Sequence, residues 1–241
     1  MAINKPPGLL VHRSAIDRHE TRFALQLLRD QLGRRVYPVH RLDKPTSGLM
    51  LFALDSGTAR LLSSQFADRS IEKSYLAIVR GWSPEQGRIN HPLREHPDAV
   101  ETATGRDTPK VYAAVTEYQR LATVELDIAV DRYPRTRYSL VLLHPLTGRR
   151  HQLRRHMKHI SHPIIGDANH GKGVHNRFFQ QALGCQRLLL ASVAIKFQHP
   201  RSGEQLHLRA APGAEFEHVA ARFGWQSELR LYGEARAACV S

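Results

Sequence analysis

Asp43 is the residue of this sequence best placed for covalent chemistry. It lies in the segment HRLDKPTSGLMLFA, residues 40–53, where Pro45 and Gly48 indicate a loop. A carboxylate in a loop can act as a nucleophile or a general base, provided that it stays ionised. An isolated Asp before Lys-Pro-Thr is also typical of an Asx turn, in which the side chain only stabilises the loop. A guanidinium beside Asp43 would favour the ionised form that chemistry requires.

Guanidinium groups are concentrated between residues 132 and 166, a stretch that contains no acidic residue. Its positive charges come from Arg132, Arg135, Arg137, Arg149, Arg150, Arg154, Arg155 and Lys158. Leu153, Met157 and Ile160 recur at helical spacing, which predicts a helix over 151–160 with an apolar stripe and a basic opposite face. Such segregated charge is typical of a nucleic-acid contact, although a solvated basic helix shows the same pattern.

The overall composition agrees with a polyanionic partner. The chain has 241 residues, with 35 Lys and Arg against 22 Asp and Glu, and a formal net charge of +13. Hydrophobic residues make up 41%, enough for a buried core, and no apolar run approaches the roughly 18 residues of a membrane helix. The N-terminus does not resemble a signal peptide, and Cys185 and Cys239 are the only cysteines. We therefore expect a cytoplasmic protein that binds no membrane.

The 15 histidines raise the question of a metal site, above all His151, His156, His159 and His162. Their separations do not include the i, i+4 pair of a zinc-binding helix, and no carboxylate follows before Asp167. The glycine-containing segments match neither a phosphate-binding loop nor a dinucleotide fingerprint. We predict no metal and treat these histidines as part of the basic surface.

The elements that must position Asp43 are mostly strands. Val36–Val39 and Leu49–Leu54 read as strands, so Asp43 falls on the connection between them. Further predicted strands are Glu72–Arg80, Thr123–Val130 and Arg137–Leu143, and further predicted helices are Arg22–Leu32 and Thr58–Ala67. Residues 94–109 lack periodicity and are expected to form a mobile surface loop. Because strands outnumber helices, the pattern favours an α+β fold.

Three segments together resemble the RluA-type pseudouridine synthases. Residues 40–53 match that family's signature HRLD(x)TSGLLLFA. Glu72–Ala77, EKSYLA, looks like its K-x-Y-x-A strand, and Thr147–Arg154, TGRRHQLR, looks like its TGRxHQ[LI]R element. The order along the chain is also the same, and smaller similarities extend from the first residues to about Pro212.

The resemblance implies a reaction in which uracil is detached from ribose C1′, turned and rejoined through C5, without cofactor, metal or redox change. Asp43 matches the catalytic carboxylate; attack at uracil C6, attack at C1′ and removal of a ribose proton all remain open. Arg154 matches the guanidinium beside it, and Tyr75 the tyrosine that packs on the base and moves the C5 proton. Arg41 matches the residue that enters the stack when the uridine flips out. Without the resemblance, Tyr75 would read as a core aromatic, and Arg41 and Arg154 as phosphate contacts.

Shorter segments resemble those family members that modify the tRNA uridine at position 65. They are Val11–Ser14, Arg132–Tyr138 and Phe223–Trp225. The expected partner is therefore tRNA, and the residues expected to contact RNA are Arg41, Arg135, Arg137, Arg149, Arg150, His151, Arg155 and Lys158. Two alternatives remain: a ribosomal RNA pseudouridine synthase of the same family, and an RNA-binding or chaperone protein whose isomerase activity is lost or incidental.

The resemblance also implies the architecture. We expect a mixed, mostly antiparallel β-sheet with flanking helices and a central basic catalytic cleft. Residues 1–228 are predicted to form a single catalytic domain in a monomeric protein, and residues 229–241 a polar, disordered tail. Only Met1–Ile3 precede Asn4, so the N-terminal strand usual in the family is expected to be missing.

Overall fold

A computed structural model describes residues 1–13, 19–95 and 110–233. Its strands are β1 (Ala2–Lys5), β2 (Tyr37–Pro38), β3 (Ser47–Ala53), β4 (Glu72–Arg80), β5 (Gln86–Asn90), β6 (Leu93–Glu95), β7 (Lys110–Tyr112), β8 (Val115–Leu126), β9 (Thr136–Pro145), β10 (Leu190–Gln198) and β11 (Gln205–Arg209). Its helices are α1 (Ala24–Leu32), α2 (Ser56–Ala67), α3 (Gln152–His159), α4 (Gly173–Leu183), α5 (Ala214–Arg222) and α6 (Gln226–Gly233). No helix of these described residues is both long and apolar enough to cross a membrane.

The main sheet has the strand order β1-β3-β10-β4-β9-β8-β5. Strand β2 adds to β3 and β11 adds to β10, while β6 and β7 form a separate hairpin. β10 runs parallel to β3, whereas the other paired strands are antiparallel. The expected mixed, mostly antiparallel sheet with flanking helices is thus confirmed.

Strand β4 explains why both faces of this sheet are covered. Its residues from Tyr75 to Val79 are all buried, because successive side chains enter two different cores. Ala77 and Val79 pack in one core together with Leu153 and Met157 of α3. Leu76 and Ile78 pack in the other core, which includes buried side chains of α4 and α5. A strand buried on both sides reads as an almost continuous apolar run.

The predicted helices at 22–32, 58–67 and 151–160 and the strand at 72–80 are confirmed to within two residues. The strand predicted over Thr123–Val130 is wrong in its limits: β8 begins at Val115 and ends at Leu126. Its first half alternates Thr116 and Tyr118 with the polar residues Glu117 and Gln119, and pairing with β9 from Thr116 to Leu126 holds it in the sheet. Tertiary pairing here overrides the weak apolar signal.

Both ends of the predicted domain need correction. A strand does precede Pro6, because Ala2–Lys5 pairs with Gly48–Leu51 of β3. The structured region also continues past 228, since α6 runs to Gly233 and Leu229 is buried. The rest of the predicted tail, and most of the loop predicted over 94–109, lie outside the described residues, although Leu93–Glu95 and Lys110–Tyr112 pair as β6 and β7.

Gly48 allows β3 and β10 to approach closely at the centre of the sheet. Its φ is +108°, a region that residues with a Cβ rarely adopt. A Cβ at this position would lie 2.1 Å from the backbone oxygen of Ser192. Ser192 in turn pairs with Gly48 on one side and with Tyr75 on the other. The glycine therefore sets the spacing between the strand that follows Asp43 and the strand that carries Tyr75.

We expect Gly48→Ala to lower the free energy of unfolding by about 3 kcal/mol, because it adds backbone strain and a clash with a backbone atom that cannot move alone. Urea unfolding followed by circular dichroism measures the change. Gly148→Ala is the matched control, because nothing lies within 4 Å of the added Cβ and Gly148 has no positive φ. Equal free energies of unfolding for Gly48→Ala and Gly148→Ala would contradict the close approach of β3 and β10 at Gly48.

Candidate active site

Asp43 lies on the loop between β2 and β3, as predicted. The loop turns tightly here, since the Thr46 N–H donates to the Asp43 backbone oxygen at 3.0 Å. The Asp43 side chain is 25% exposed, so its carboxylate is open to a ligand. The register of Gly48, Ser192 and Tyr75 across β3, β10 and β4 brings this loop over the middle of the sheet.

The Lys5 side chain ties the segment after β1 to the Asp43 loop by hydrogen bonds. It is fully buried, and its Nζ donates to the backbone oxygens of Pro6, Leu9 and Lys44 at 2.9, 2.8 and 3.1 Å. Burial lowers the pKa of Lys5 to about 8, and the negative charge of Asp43 partly opposes that shift. Sequence reasoning missed this residue, although its place before Pro6-Pro7-Gly8 was a signal.

Arg154 joins two carboxylates. Its guanidinium is almost completely buried, with 4% of the side chain exposed. Nη1 donates to Asp43 Oδ2 at 3.2 Å, while Nε and Nη2 donate to the two oxygens of Asp167 at 2.7 and 2.8 Å. Burial opposes the charge of Arg154, but hydrogen bonds and the charges of both carboxylates raise its pKa overall. The arginine is therefore charged and holds a positive charge against Asp43.

Asp167 is the buried carboxylate that holds Arg154 in place. Its side chain is fully buried, and Oδ1 also accepts from the backbone N–H groups of Asn169 and His170 at 3.0 and 2.9 Å. Burial alone would raise the pKa of Asp167, but the hydrogen bonds from Arg154 and the backbone outweigh it and lower the pKa. Sequence reasoning named Asp167 only as the first carboxylate after the histidines and gave it no role.

Buried polar contacts hold the start of α3, which carries Arg154. Gln152 Oε1 accepts from Thr147 Oγ1 at 2.7 Å and from the Arg149 N–H at 3.0 Å. Its Nε2 donates to the Val115 backbone oxygen and to Thr116 Oγ1, both at 3.0 Å. The Gln in the motif TGRRHQLR thus ties the helix to β8, which fixes the direction of Arg154.

Tyr75 lies on β4 directly opposite Ser192 and Leu143. Its side chain is buried on the face that also holds the core residues Leu153 and Met157 of α3. Burial raises the pKa of Tyr75 to about 12, and the negative charge of Asp43 adds to the shift. The hydroxyl is therefore protonated at neutral pH, and it lies close enough to Asp43 for the negative charge to raise its pKa.

His151 adds an imidazole to the same site. Its Nε2 lies 4.0 Å from Asp43 Oδ2, and its Nδ1 lies 3.1 Å from His170 Nε2. Burial lowers the pKa of His151 to about 4, even though the Asp43 carboxylate raises it. His151 is thus neutral at pH 7, which does not suit the role of phosphate contact expected from the sequence.

The other expected RNA contacts fall into two groups. Close to the site in the sequence, exposed Arg41 precedes Asp43, exposed Arg150 precedes Arg154, and Arg155 and Lys158 follow Arg154 along α3. Arg149 lies at the same end, where its guanidinium stacks 4.9 Å from the centre of the Tyr112 ring.

Arg135 and Arg137 lie elsewhere. In β9, Leu143 is the residue that pairs with Tyr75, and Arg137 precedes it by six positions, roughly 20 Å along the strand. Both arginines form ion pairs with Glu125, and Arg135 also pairs with Asp127 at 2.7 Å. The structure therefore does not bring these two residues to the site.

The histidines of α3 do not converge. His156 is hydrogen-bonded to Thr116 and the His91 backbone oxygen, and His162 to the Arg80 backbone oxygen. Within the described ranges, no group of three or more His, Cys, Asp or Glu side chains is arranged to hold a metal ion.

The site thus offers one partly exposed carboxylate, hydrogen-bonded by a buried guanidinium, beside a protonated tyrosine and a neutral histidine. Such a set is suited to attack by Asp43 on a carbon atom, or to proton removal by it, with Tyr75 as a proton carrier.

Comparisons with known proteins identify the family that shares this arrangement. Residues 1–159 match the family described as RNA pseudouridylate synthase. A protein named tRNA pseudouridine synthase C from Vibrio cholerae is 47% identical over 96% of this chain and 95% of its own. One of the same name from Pasteurella multocida is 49% identical over 93% of each chain.

A solved structure agrees with the sequence matches. Human RNA Pseudouridylate Synthase Domain Containing 4 superposes with a TM-score of 0.68 and 26% identity, over 92% of this chain and 89% of its own. The chain belongs to the RNA pseudouridine synthase family. It is an RNA pseudouridine synthase, and the RluA-type resemblance of its three motifs is confirmed.

We expect Asp167→Asn to lower the free energy of unfolding at pH 7 by about 3 kcal/mol, because it leaves the Arg154 guanidinium buried with half its countercharge. Since folding lowers the pKa of Asp167, its stabilising contribution is present above the unfolded pKa of about 4 and is lost as the pH falls further. The difference between wild type and variant should therefore shrink in acid.

Urea unfolding between pH 7 and pH 3 measures this difference. Asp68→Asn is the control, because Asp68 is exposed and bonded only to Ser64 among side chains. A difference that stays constant down to pH 3 would contradict the ionised, buried Asp167.

Proposed function

We propose that this protein converts a uridine of tRNA to pseudouridine, at position 65, with Asp43 as the catalytic carboxylate. One observation carries the proposal: Arg154 is fixed by the buried Asp167 and donates a single hydrogen bond to the partly exposed Asp43. Of the two carboxylates bound to Arg154, Asp43 is the partly exposed one, so it is the one that a substrate can reach.

The net reaction is an isomerisation, so it needs no external oxidant or reductant. The N1–C1′ bond of uridine breaks, the C5–C1′ bond forms, C5 loses a proton and N1 gains one. An ionised Asp43 can start this sequence by adding to uracil C6, by adding to C1′ or by removing a ribose proton. Arg154 supports all three routes, because its hydrogen bond to Oδ2 orients the carboxylate and leaves Oδ1 for the reacting atom.

Tyr75 is proposed to handle the C5 proton. Because its pKa is raised to about 12, the phenol is neutral at pH 7 and can accept that proton only as it passes its own proton on. Its position opposite Ser192 on β10 gives its ring a fixed orientation over the middle of the sheet. A flat ring there also suits stacking on a flipped uracil.

The RNA is proposed to lie across Arg41, Arg149, Arg150, Arg155 and Lys158, the cations next to the site. Arg41 lies two residues from Asp43 and is exposed, which suits entry into the base stack that the uridine leaves. Base flipping is needed because a stacked uridine hides C1′ and C6 from any side chain.

Support for tRNA as the substrate comes from the names of the relatives, which are 44–49% identical to this chain. Position 65, the cytoplasmic location and the monomeric state are expectations that belong to the same proposal.

Pseudouridine mapping tests the proposal. The purified protein is incubated with total RNA from a host without pseudouridine, and new sites are located by carbodiimide labelling and primer extension. A single new site at tRNA position 65 is expected. New sites in ribosomal RNA alone would replace the substrate, and no new site from a folded, RNA-binding protein would leave only a binding function.

We expect Asp43→Asn to abolish pseudouridine formation, because the amide is neither a nucleophile nor a base at neutral pH. Affinity for tRNA should stay within about threefold, since phosphate contacts dominate binding. Asp30→Asn, at an exposed position of α1, should retain full activity. A large loss of tRNA affinity in Asp43→Asn, or measurable product, would count against the assignment.

We expect Arg150→Ala combined with Arg155→Ala to weaken tRNA binding and to reduce the salt dependence of log Kd by about two phosphate contacts. Arg135→Ala with Arg137→Ala removes the same charge from the far end of β9, where Glu125 and Asp127 already pair with these two arginines. A smaller effect is expected there. A larger effect from the second pair would move the RNA path to that end of the sheet.

A further inference from the structure

His151 and His170 form a pair of imidazoles beside Asp43. Their rings meet edge to face, with centroids 5.3 Å apart and an interplanar angle of 75°. His151 Nδ1 and His170 Nε2 are 3.1 Å apart, which is hydrogen-bond distance. The two residues come from separate segments, the start of α3 and the loop after Asp167, so their meeting depends on the folded site.

The backbone conformation places both histidines beside the Asp43–Arg154–Asp167 ion pairs. His151 has a φ of +54°, an uncommon conformation that brings its side chain toward the carboxylate of Asp43. His170 donates its backbone N–H to Asp167 at 2.9 Å. Asp167 and Asp43 are thus joined by hydrogen bonds through Arg154, and the His170–His151 pair lies beside that path, held to Asp167 by the His170 backbone N–H.

The surrounding charges select one arrangement of protons. Burial lowers the pKa of both histidines, so each ring carries one N–H at neutral pH. The groups that face His151 are Asp43, Arg154, His170 and Arg150. A lone pair on His151 Nε2 would repel the Asp43 carboxylate, whereas an N–H attracts it. His151 Nδ1 then accepts, and His170 Nε2 donates.

The carboxylate of Asp43 is approached from one side. Arg154 Nη1 at 3.2 Å and His151 Nε2 at 4.0 Å both face Oδ2. Among the described residues, no hydrogen bond to Oδ1 is found. Oδ1 is therefore the oxygen that remains for a substrate atom.

We propose that His151 and His170 are positioning residues for Asp43: His170 fixes the Nε2–H form of His151, and that N–H holds Oδ2 so that Oδ1 faces the uridine. This inference rests on the proposed function. The 4.0 Å separation is about 1 Å longer than a hydrogen bond. The proposed role requires that this contact shorten to a hydrogen bond when the uridine covers the site.

Paired substitutions of His151 test the role of its N–H. His151→Leu removes the donor and is expected to lower kcat for pseudouridine formation about 100-fold, with KM within about threefold. His151→Gln keeps an N–H at similar reach and should recover most of kcat. His170→Leu should act like a weaker His151→Leu, and His170→Gln should recover activity in the same way.

The control is His218→Leu, at an exposed position of α5 far from these contacts in the chain, which should behave as wild type. Circular dichroism and tRNA affinity report on folding for every variant. Full activity of His151→Leu would overturn the inference. Equal losses in the Leu and Gln variants would also overturn it, because they would indicate a purely structural role.

A second measurement is independent of activity. Nitrogen-15 chemical shifts of the His151 ring, assigned with the His151→Gln variant at pH 7, are expected to show a protonated Nε2 and an unprotonated Nδ1. His170→Leu should mix the two tautomers. A protonated Nδ1 on wild-type His151 would overturn the inference. Wild-type protein that makes no pseudouridine would instead overturn the proposed function, and the ring shifts would still decide the state of the pair.

Discussion

The contact between Arg154 and two carboxylates is the interaction on which the site depends. Asp167 takes two of the guanidinium nitrogens and is completed by two backbone N–H groups, whereas Asp43 receives one nitrogen at 3.2 Å. The two carboxylates therefore share the hydrogen bonds of Arg154 unequally, and this difference bears on their reactivity. Asp167 accepts four hydrogen bonds and holds Arg154 in place, while Asp43 keeps an oxygen without a hydrogen bond among the described contacts. A carboxylate paired as fully as Asp167 would be stable and unreactive.

The fold brings these groups together from distant parts of the chain. Asp43 and Arg154 are separated by 111 residues, and the parallel pairing of β3 with β10 sets the position of the Asp43 loop over Tyr75. Close contact at Gly48 and the polar contacts of Gln152 fix the two sides of the site independently. Precision therefore comes from the sheet and one helix, with the Asp43 carboxylate on the loop between them.

Much of the site could be predicted from the sequence, because Asp43, Tyr75 and Arg154 lie within motifs whose residue types are specific. The fold class and α3 followed from periodicity. Asp167 and Lys5 were missed as partners because their roles arise from contacts across 13 and 39 residues, which no local pattern encodes. Arg135 and Arg137 share the acid-free segment with Arg149, yet a strand rising about 3.3 Å per residue carries them away from it. Charge in the sequence shows that a surface is basic, but pairing with Glu125 decides how much of that charge is available.

The triple contact of the Lys5 ammonium has a consequence for the order of assembly. The ammonium joins the backbone oxygens of Pro6 and Leu9, just after β1, to that of Lys44 in the Asp43 loop. The partner strand of β1, β3, also pairs in parallel with β10, which follows it in the chain only after β4 to β9. The Asp43 loop therefore reaches its final surroundings only after β10 has joined β3. Such long-range closure is characteristic of slow folding.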